Sequence, residues 1–141
     1  MDTPGLRPRL VSFRVLSFSA TNNLPNVTES EIGFEMTPAI ELGLALPATP
    51  DGQIQALVNI QIKGRAALKS APDNSLADIS ASYEARFVYP KEANDADVSA
   101  RFDRELHQYM LVAQAFPLAS SHFRREMMAM GFNVGNLPLG L

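Results

Sequence analysis

The side chains that could do chemistry are few, and two histidines come first among them. Nucleophilic or acid–base catalysis needs a base, and the chain offers only His107 and His122. At 100° per residue both fall on polar faces of predicted helices, so we expect solvated histidines. A metal site built from these two and neighbouring carboxylates is expected even less, and the absence of cysteine excludes a thiolate zinc site. We therefore predict that the protein is not an enzyme and binds no metal or cofactor.

A second candidate for function is the segment "HFRREMMAMGF", residues 122–132. On a helical wheel it has one apolar stripe, formed by Phe123, Met127 and Met130. Met128 instead lands between Arg124 and Arg125, away from that stripe. Methionine lines promiscuous peptide-binding surfaces because its side chain is flexible and polarizable. We identify Met128, Arg124 and Arg125 as candidate polypeptide-binding residues, although an incidental exposed methionine explains the pattern about as well.

Composition narrows the classes of protein to which the chain can belong. The 141 residues, 46% of them hydrophobic, are enough for one folded domain with a sizeable core. A net charge of −3 and a sequence pI near 5.3 argue against nucleic-acid binding, which usually needs a basic excess. The chain has no apolar run of membrane length, and its start lacks the apolar block of a signal peptide. We expect a cytoplasmic protein with no membrane insertion.

Hydrophobic periodicity divides the chain at Pro90. Before it, apolar and polar residues alternate over 32–46, 54–62 and 79–89, with turn-rich segments between them. A shorter strand is expected over 10–18. We therefore predict an α+β fold, in which a four-stranded antiparallel meander sheet over residues 10–90 is covered on one face by two C-terminal helices. An irregular arm over residues 1–9 precedes the sheet.

A period of 3.6 residues follows and predicts two helices within residues 94–131. Pro117 should separate them, and Gly131 should end the second. The first helix has one apolar side, made of Val98, Phe102, Leu106, Tyr109, Ala113 and Phe116. The tail over residues 132–141 is also apolar and should pack against the domain.

The C-terminal half of the first helix is apolar nearly all round, because Leu111 projects opposite Tyr109. A helix that is apolar on two sides needs two partners. The sheet is one of them, and a second subunit is the natural candidate for the other. This pattern predicts an oligomer interface at Met110, Leu111 and Val112.

The order of these elements resembles the SecB-type export chaperones. In that family a meander sheet is followed by a long helix, a loop with proline, a second helix ending near a glycine, and an apolar tail of the "FP.LNLAP" kind. Residues 111–141 follow that layout. The family's "PYARE" is similar to residues 121–126, "SHFRRE", which retain the aromatic, the second arginine and the glutamate. The tail keeps Phe132, Asn136, Leu137 and Pro138, and the resemblance covers about Val11 to Leu139.

The resemblance implies a single SecB-like domain over residues 1–141 that acts as a holdase. Such a chaperone binds unfolded or unassembled polypeptides in apolar grooves without ATP or a cofactor, with protein export as one form of that role. Family members are dimers of dimers, so a dimer or a homotetramer is expected.

Two departures from the family bear on partners. Members that dock on the SecA motor carry acidic residues in the loop after strand one, and a charged, metal-binding tail. This sequence has Ala20 and Leu24 in the corresponding loop and stops at Leu141. Delivery to SecA is therefore in doubt. The alternative is a SecB-like adaptor or dedicated chaperone that holds one specific partner, such as an antitoxin, and the sequence leaves both functions open.

Overall fold

The computed structural model describes residues 7–23, 32–49 and 51–132. Its elements, in chain order, are β1 (Arg9–Asn22), β2 (Ile32–Ala45), β3 (Gln55–Leu68), β4 (Ala71–Val88), α1 (Asp95–Phe102) and α2 (Glu105–Ala129). The predicted α+β class, with four strands followed by two helices, is confirmed. Most of the predicted arm and tail lies outside the described residues, as does Leu24; Ala20 belongs to β1 and not to a loop.

All four strands form one antiparallel sheet in the order β1-β4-β3-β2. The last three strands make the predicted meander, but β1 lies beside β4, so the complete sheet is a Greek key and not a four-stranded meander. β4 is the longest strand, with 18 residues, and pairs along both of its edges. β1 contains two bulges, at Val11 and Leu16, where its register with β4 shifts.

The register places the apolar residues of neighbouring strands on one face of the sheet. Ile60 stands opposite Tyr83, for example, and directly paired residues point to the same side. The buried residues of this face include Ala56, Val58, Ile60, Ile62, Ile79, Ala81, Tyr83, Ala85 and Phe87. The other face is polar; there Oε1 of Glu84 lies 3.1 Å from Nε of Arg14 and 3.6 Å from Nη2 of Arg86.

The helices divide at residues 103–104 and not at Pro117, as the sequence predicted. α1 begins with a capped turn, in which Oδ1 of Asn94 accepts a hydrogen bond from the Asp97 amide at 2.8 Å. α2 runs through Pro117 without interruption. A proline at this position removes the helical hydrogen bond to the Ala113 carbonyl. Because Ala113 and Pro117 are both exposed, water can satisfy that carbonyl.

The earlier break changes which residues of α2 face the sheet. The prediction assumed one continuous helix, with an apolar side that runs from Val98 through Tyr109. Residues 103–104 lie outside both helices, so every later residue of α2 points in a different direction from the one that the wheel predicted. The buried residues of α2 are His107, Leu111, Ala115, Phe116, Ala119, Phe123 and Met127. Leu106 and Tyr109 therefore point outward, contrary to the prediction.

α2 ends at the predicted glycine. Gly131 has a φ of 97°, a conformation that glycine adopts without steric cost. Its amide donates to the Met128 carbonyl at 3.0 Å, and the Phe132 amide donates to the Met127 carbonyl at 3.1 Å. This pair of hydrogen bonds is a Schellman motif, which satisfies the last carbonyls and turns the chain toward β2 through Phe132.

Candidate functional site

Two tyrosine–histidine pairs attach α2 to the sheet. The Tyr89 hydroxyl lies 2.6 Å from Nε2 of His107, and the Tyr83 hydroxyl lies 2.9 Å from Nδ1 of His122. The separation of the tyrosines along the strand direction corresponds to about 20 Å, and that of the histidines along the helix to about 22 Å. Because these lengths agree, the two pairs together set the position of α2 along β4.

The prediction of a solvated His107 is wrong. Its side chain is 8% exposed and stacks on Tyr89, with ring centroids 5.9 Å apart. Burial, and secondly the positive charge of Arg101, lowers the pKa of His107 below its ordinary value, so the ring is neutral at pH 7. Burial raises the pKa of Tyr89 to about 12, which keeps its hydroxyl protonated.

The prediction is also wrong for His122, which is half-buried between β1 and β4. Its ring meets Phe18 and Tyr83 edge-on, at 5.8 Å and 5.4 Å, and Nε2 lies 3.5 Å from Oε1 of Glu126. Burial, and secondly the charge of Glu126, raises the pKa of Tyr83 above its ordinary value. Tyr83 and Tyr89 are each 1% exposed, which closes their hydroxyls to a substrate. The two pairs therefore position a helix and form no open catalytic centre.

Apolar surface remains partly uncovered beside α2. The helix packs over β1, β3 and β4, whereas β2 forms an edge of the sheet. The core-facing apolar residues of that strand, which we call the β2 strip, are half-buried: Phe34, Met36, Ile40, Leu42 and Leu44. Periodicity found these positions in the sequence. Periodicity could not show that the residues of the β2 strip lie at the margin of α2.

At one end, the β2 strip meets the C-terminal end of α2. The Phe34 ring lies edge-on to Phe132, with centroids 5.5 Å apart. A Cβ on Gly64 would lie 2.8 Å from Cζ of Phe34 and 3.2 Å from Cζ of Phe123. Because Gly64 has no side chain, the rings of Phe34 from β2 and Phe123 from α2 can both pack closely against β3 at this position.

The outer face of α2 carries further apolar side chains. Leu106 is 78% exposed and Tyr109 is 61% exposed, three residues apart on the helix. Adjoining exposed apolar side chains make this face a candidate surface for a partner. The helical wheel of the sequence did not reveal these two exposed residues, because it placed both of them on the same apolar side as Val98 and Phe102.

The three predicted polypeptide-binding residues lie together near the C-terminal end of α2. All three, Arg124, Arg125 and Met128, are exposed. His122 faces β1 and β4, and Arg124 follows it by 200° on the helix, so Arg124 points away from β1. Met128, four residues later, lies on the same side as Arg124. That side of α2 leads toward the β2 strip.

The predicted interface residues do not share one environment. Met110 and Val112 are half-buried and remain within reach of a partner. Leu111 is 0% exposed and packs in the core of its own chain. Leu111 thus faces the sheet of its own chain, because the break at residues 103–104 turns it inward, and the predicted interface at Met110, Leu111 and Val112 stays a prediction.

Within the ranges described above, no three His, Asp or Glu side chains converge as metal ligands would. Neither described helix combines the length and hydrophobicity needed to cross a bilayer.

Comparison with known proteins agrees with this architecture. No family model and no curated protein sequence matches the chain. Among solved structures, the Mycobacterium tuberculosis Rv1957 SecB-like chaperone, in complex with a ChAD peptide from the Rv1956 HigA1 antitoxin, superposes with a TM-score of 0.54 at 16% sequence identity. The match covers 90% of this chain and 86% of that chain. The chain therefore has the SecB-like fold.

Proposed function

We propose that the protein is an ATP-independent holdase that binds unfolded or unassembled polypeptides along the β2 strip and the adjoining side of α2. The observation that carries this proposal is the row of half-buried apolar side chains on β2 that, among the described residues, lies at the margin of α2. Side chains on one face of a strand recur about every 7 Å. A client segment in extended conformation presents its side chains at the same interval, so alternate apolar residues can pack between those of the strip.

The free energy available from the β2 strip fits reversible binding of a client. Completing the burial of a half-covered Leu, Ile, Met or Phe is worth about 1 kcal/mol. The five strip residues together supply about 5 kcal/mol, which is close to the low end of the cost of association, so the strip alone supports only weak, sequence-tolerant binding. Binding of this strength needs no nucleotide to release the client, and the proposed activity involves no cofactor and no enzymatic step.

Met128 would extend the apolar surface at the end of α2, with Arg124 and Arg125 as contacts for acidic stretches of a client. Methionine adapts to side chains of different shape, which suits a binder of many sequences. The arginine contribution would weaken at high salt, because exposed charges are screened.

A second candidate function is that of an adaptor or dedicated chaperone for one partner, such as an antitoxin. The observation that favours it is the similarity to the Rv1957 chaperone, whose structure contains an antitoxin peptide. Affinity capture separates the two: many unfolded proteins on the bait support the holdase, and one recurring partner supports the dedicated chaperone.

Self-association belongs to the proposal. Met110 and Val112 flank the outer face of α2, where Leu106 and Tyr109 are exposed, and a second copy would cover these apolar residues in a dimer or a dimer of dimers. We place the protein in the cytoplasm, where unfolded clients of a holdase arise. Export is one destination that we propose for those clients, and the proposal does not include delivery to SecA.

Two neighbouring substitutions in β2 test the holdase directly. Leu42→Ser removes an apolar contact from the β2 strip, and Glu41→Ser changes the next residue, which points to the polar face of the sheet. Aggregation of a chemically denatured client, diluted into stoichiometric chaperone without nucleotide, is followed by light scattering. We expect Leu42→Ser to lose suppression and Glu41→Ser to retain it. Equal activity of the two variants would place client binding elsewhere.

A further inference from the structure

The two tyrosine–histidine pairs lie in different electrostatic surroundings. His107 is 8% exposed, stacks on Tyr89 and lies 6.5 Å from the ring of Phe102. His122 is half-buried and has the carboxylate of Glu126 3.5 Å from its Nε2. His122 therefore has an adjacent anion, whereas the neighbours shown for His107 are two aromatic rings and a neutral hydroxyl, which do not compensate a positive charge.

The groups around His107 do not compensate its charge. Tyr89, directly after β4, offers a neutral hydroxyl; from α1, Arg101 contributes a positive charge. On the approach to α2, the charged residues Asp103, Arg104 and Glu105 are exposed, so solvent and salt screen them. Protonated His107 can still donate a hydrogen bond to the Tyr89 oxygen. That bond does not offset the burial of an uncompensated cation.

We infer that mild acid releases the N-terminal half of α2 from the sheet, while the Tyr83–His122–Glu126 contacts hold its C-terminal half in place. The connection at residues 103–104 lies next to His107 and gives the helix a point at which to move. Release would uncover Leu111 and Ala115, which are buried against the sheet. This apolar surface would join the β2 strip near Leu44, whose row in the sheet contains Ala56 and Phe87. The consequence for clients rests on the proposed holdase function: acid would enlarge the surface that binds them.

The direction and size of the pH effect on helix docking follow from proton linkage. Burial lowers the pKa of His107, so the open state binds the proton more tightly than the closed state. The contribution of this group to helix docking is complete above pH about 6.5, the ordinary histidine pKa. It falls as the pH drops from there to the lowered pKa of the closed state. In that window the equilibrium constant for opening rises about tenfold per pH unit, because one proton is taken up. Carboxyl groups of model peptides titrate near pH 4, which lies below the upper part of this range.

The experiment follows opening between pH 7.5 and 5.0 with an apolar fluorescent dye, and follows each histidine by the NMR signals of its ring C–H groups. The chain has two histidines, so one substitution assigns both. His107→Gln keeps a polar partner for Tyr89 and cannot titrate in this range; His107→Phe keeps the stacked ring. His122→Gln is the matched control at the other end of α2.

We expect dye binding by the wild-type protein and by His122→Gln to rise as the pH falls below about 6.5, and dye binding by both His107 variants to stay level. A wild-type protein whose dye binding does not change over this range overturns the inference, as does a His107 variant that responds like the wild type. Suppression of client aggregation is then compared at pH 7.5 and 5.5. No suppression at either pH, with the dye response intact, would reject the holdase and leave the release of α2 standing. Equal suppression at both pH values would reject acid regulation alone.

Discussion

Met127 and Met128 are adjacent in the chain and lie in opposite environments, which makes them a matched pair for separating stability from binding. Met127 is 0% exposed and packs in the core, whereas Met128 is 60% exposed. Met127→Ala should lower the free energy of unfolding by about 2–5 kcal/mol, the usual loss when a large buried side chain is truncated. Met128→Ser should change it by less than about 0.5 kcal/mol, as surface substitutions do.

In a chain of this size each kcal/mol corresponds to roughly 3–4 °C in Tm. Met127→Ala should therefore melt at least about 6 °C below the wild type, and Met128→Ser at nearly the same temperature as the wild type. Circular dichroism measures the two melting curves, and light scattering of a denatured client measures binding under conditions where both variants are folded. We expect Met128→Ser to suppress aggregation less well than the wild type.

Each result can refute one step of the reasoning. If Met128→Ser lowers Tm as much as Met127→Ala does, the assignment of faces on α2 is wrong. If Met128→Ser melts and binds like the wild type, the methionine is an incidental exposed residue and takes no part in binding. The arginine contribution is tested in the same assay, because the activity of the wild type should fall with added salt if Arg124 and Arg125 contact clients.

Three further substitutions test other parts of the structure. Leu111→Asp should prevent folding, because a carboxylate would be buried without a partner at a cost of several kcal/mol; a folded monomer, seen by circular dichroism and size-exclusion chromatography, would restore the subunit interface that the sequence predicted. Leu106→Ser should leave Tm nearly unchanged and weaken self-association in light scattering; unaltered association would show that the outer face of α2 is not the interface. Gly64→Ala should cost about 1–3 kcal/mol, because its Cβ meets the Phe34 and Phe123 rings; an unchanged denaturation midpoint would mean that both rings shift freely.

The part of the fold that depends on local pattern could be predicted from the sequence. Alternation placed the apolar residues of β2, β3 and β4 on a common face, because successive side chains of a strand point to opposite sides. Gly131 identified the end of α2, because a helix often ends where a residue adopts positive φ. The different burial of Met127 and Met128 was also predictable, since a helical wheel needs only nearby residues.

Pro117 shows where local pattern fails. The sequence indicated a helix break there, yet the carbonyl that loses its hydrogen bond lies on the outer face of α2, where water can reach it. The break at residues 103–104 lacks so strong a signal in the sequence. Missing it displaced the predicted face of the helix, so Leu111 was assigned to an interface and Leu106 to the core.

The partners of the two histidines were decided by the tertiary structure alone. Tyr89 is 18 residues before His107 and Tyr83 is 39 residues before His122, so no local pattern joins them. The sequence by itself determined which residues can be buried, because periodicity and side-chain chemistry are local properties. The packing of α2 over β1, β3 and β4 decided which of those residues are covered, and left the β2 strip at the margin, because one helix cannot cover a four-stranded sheet.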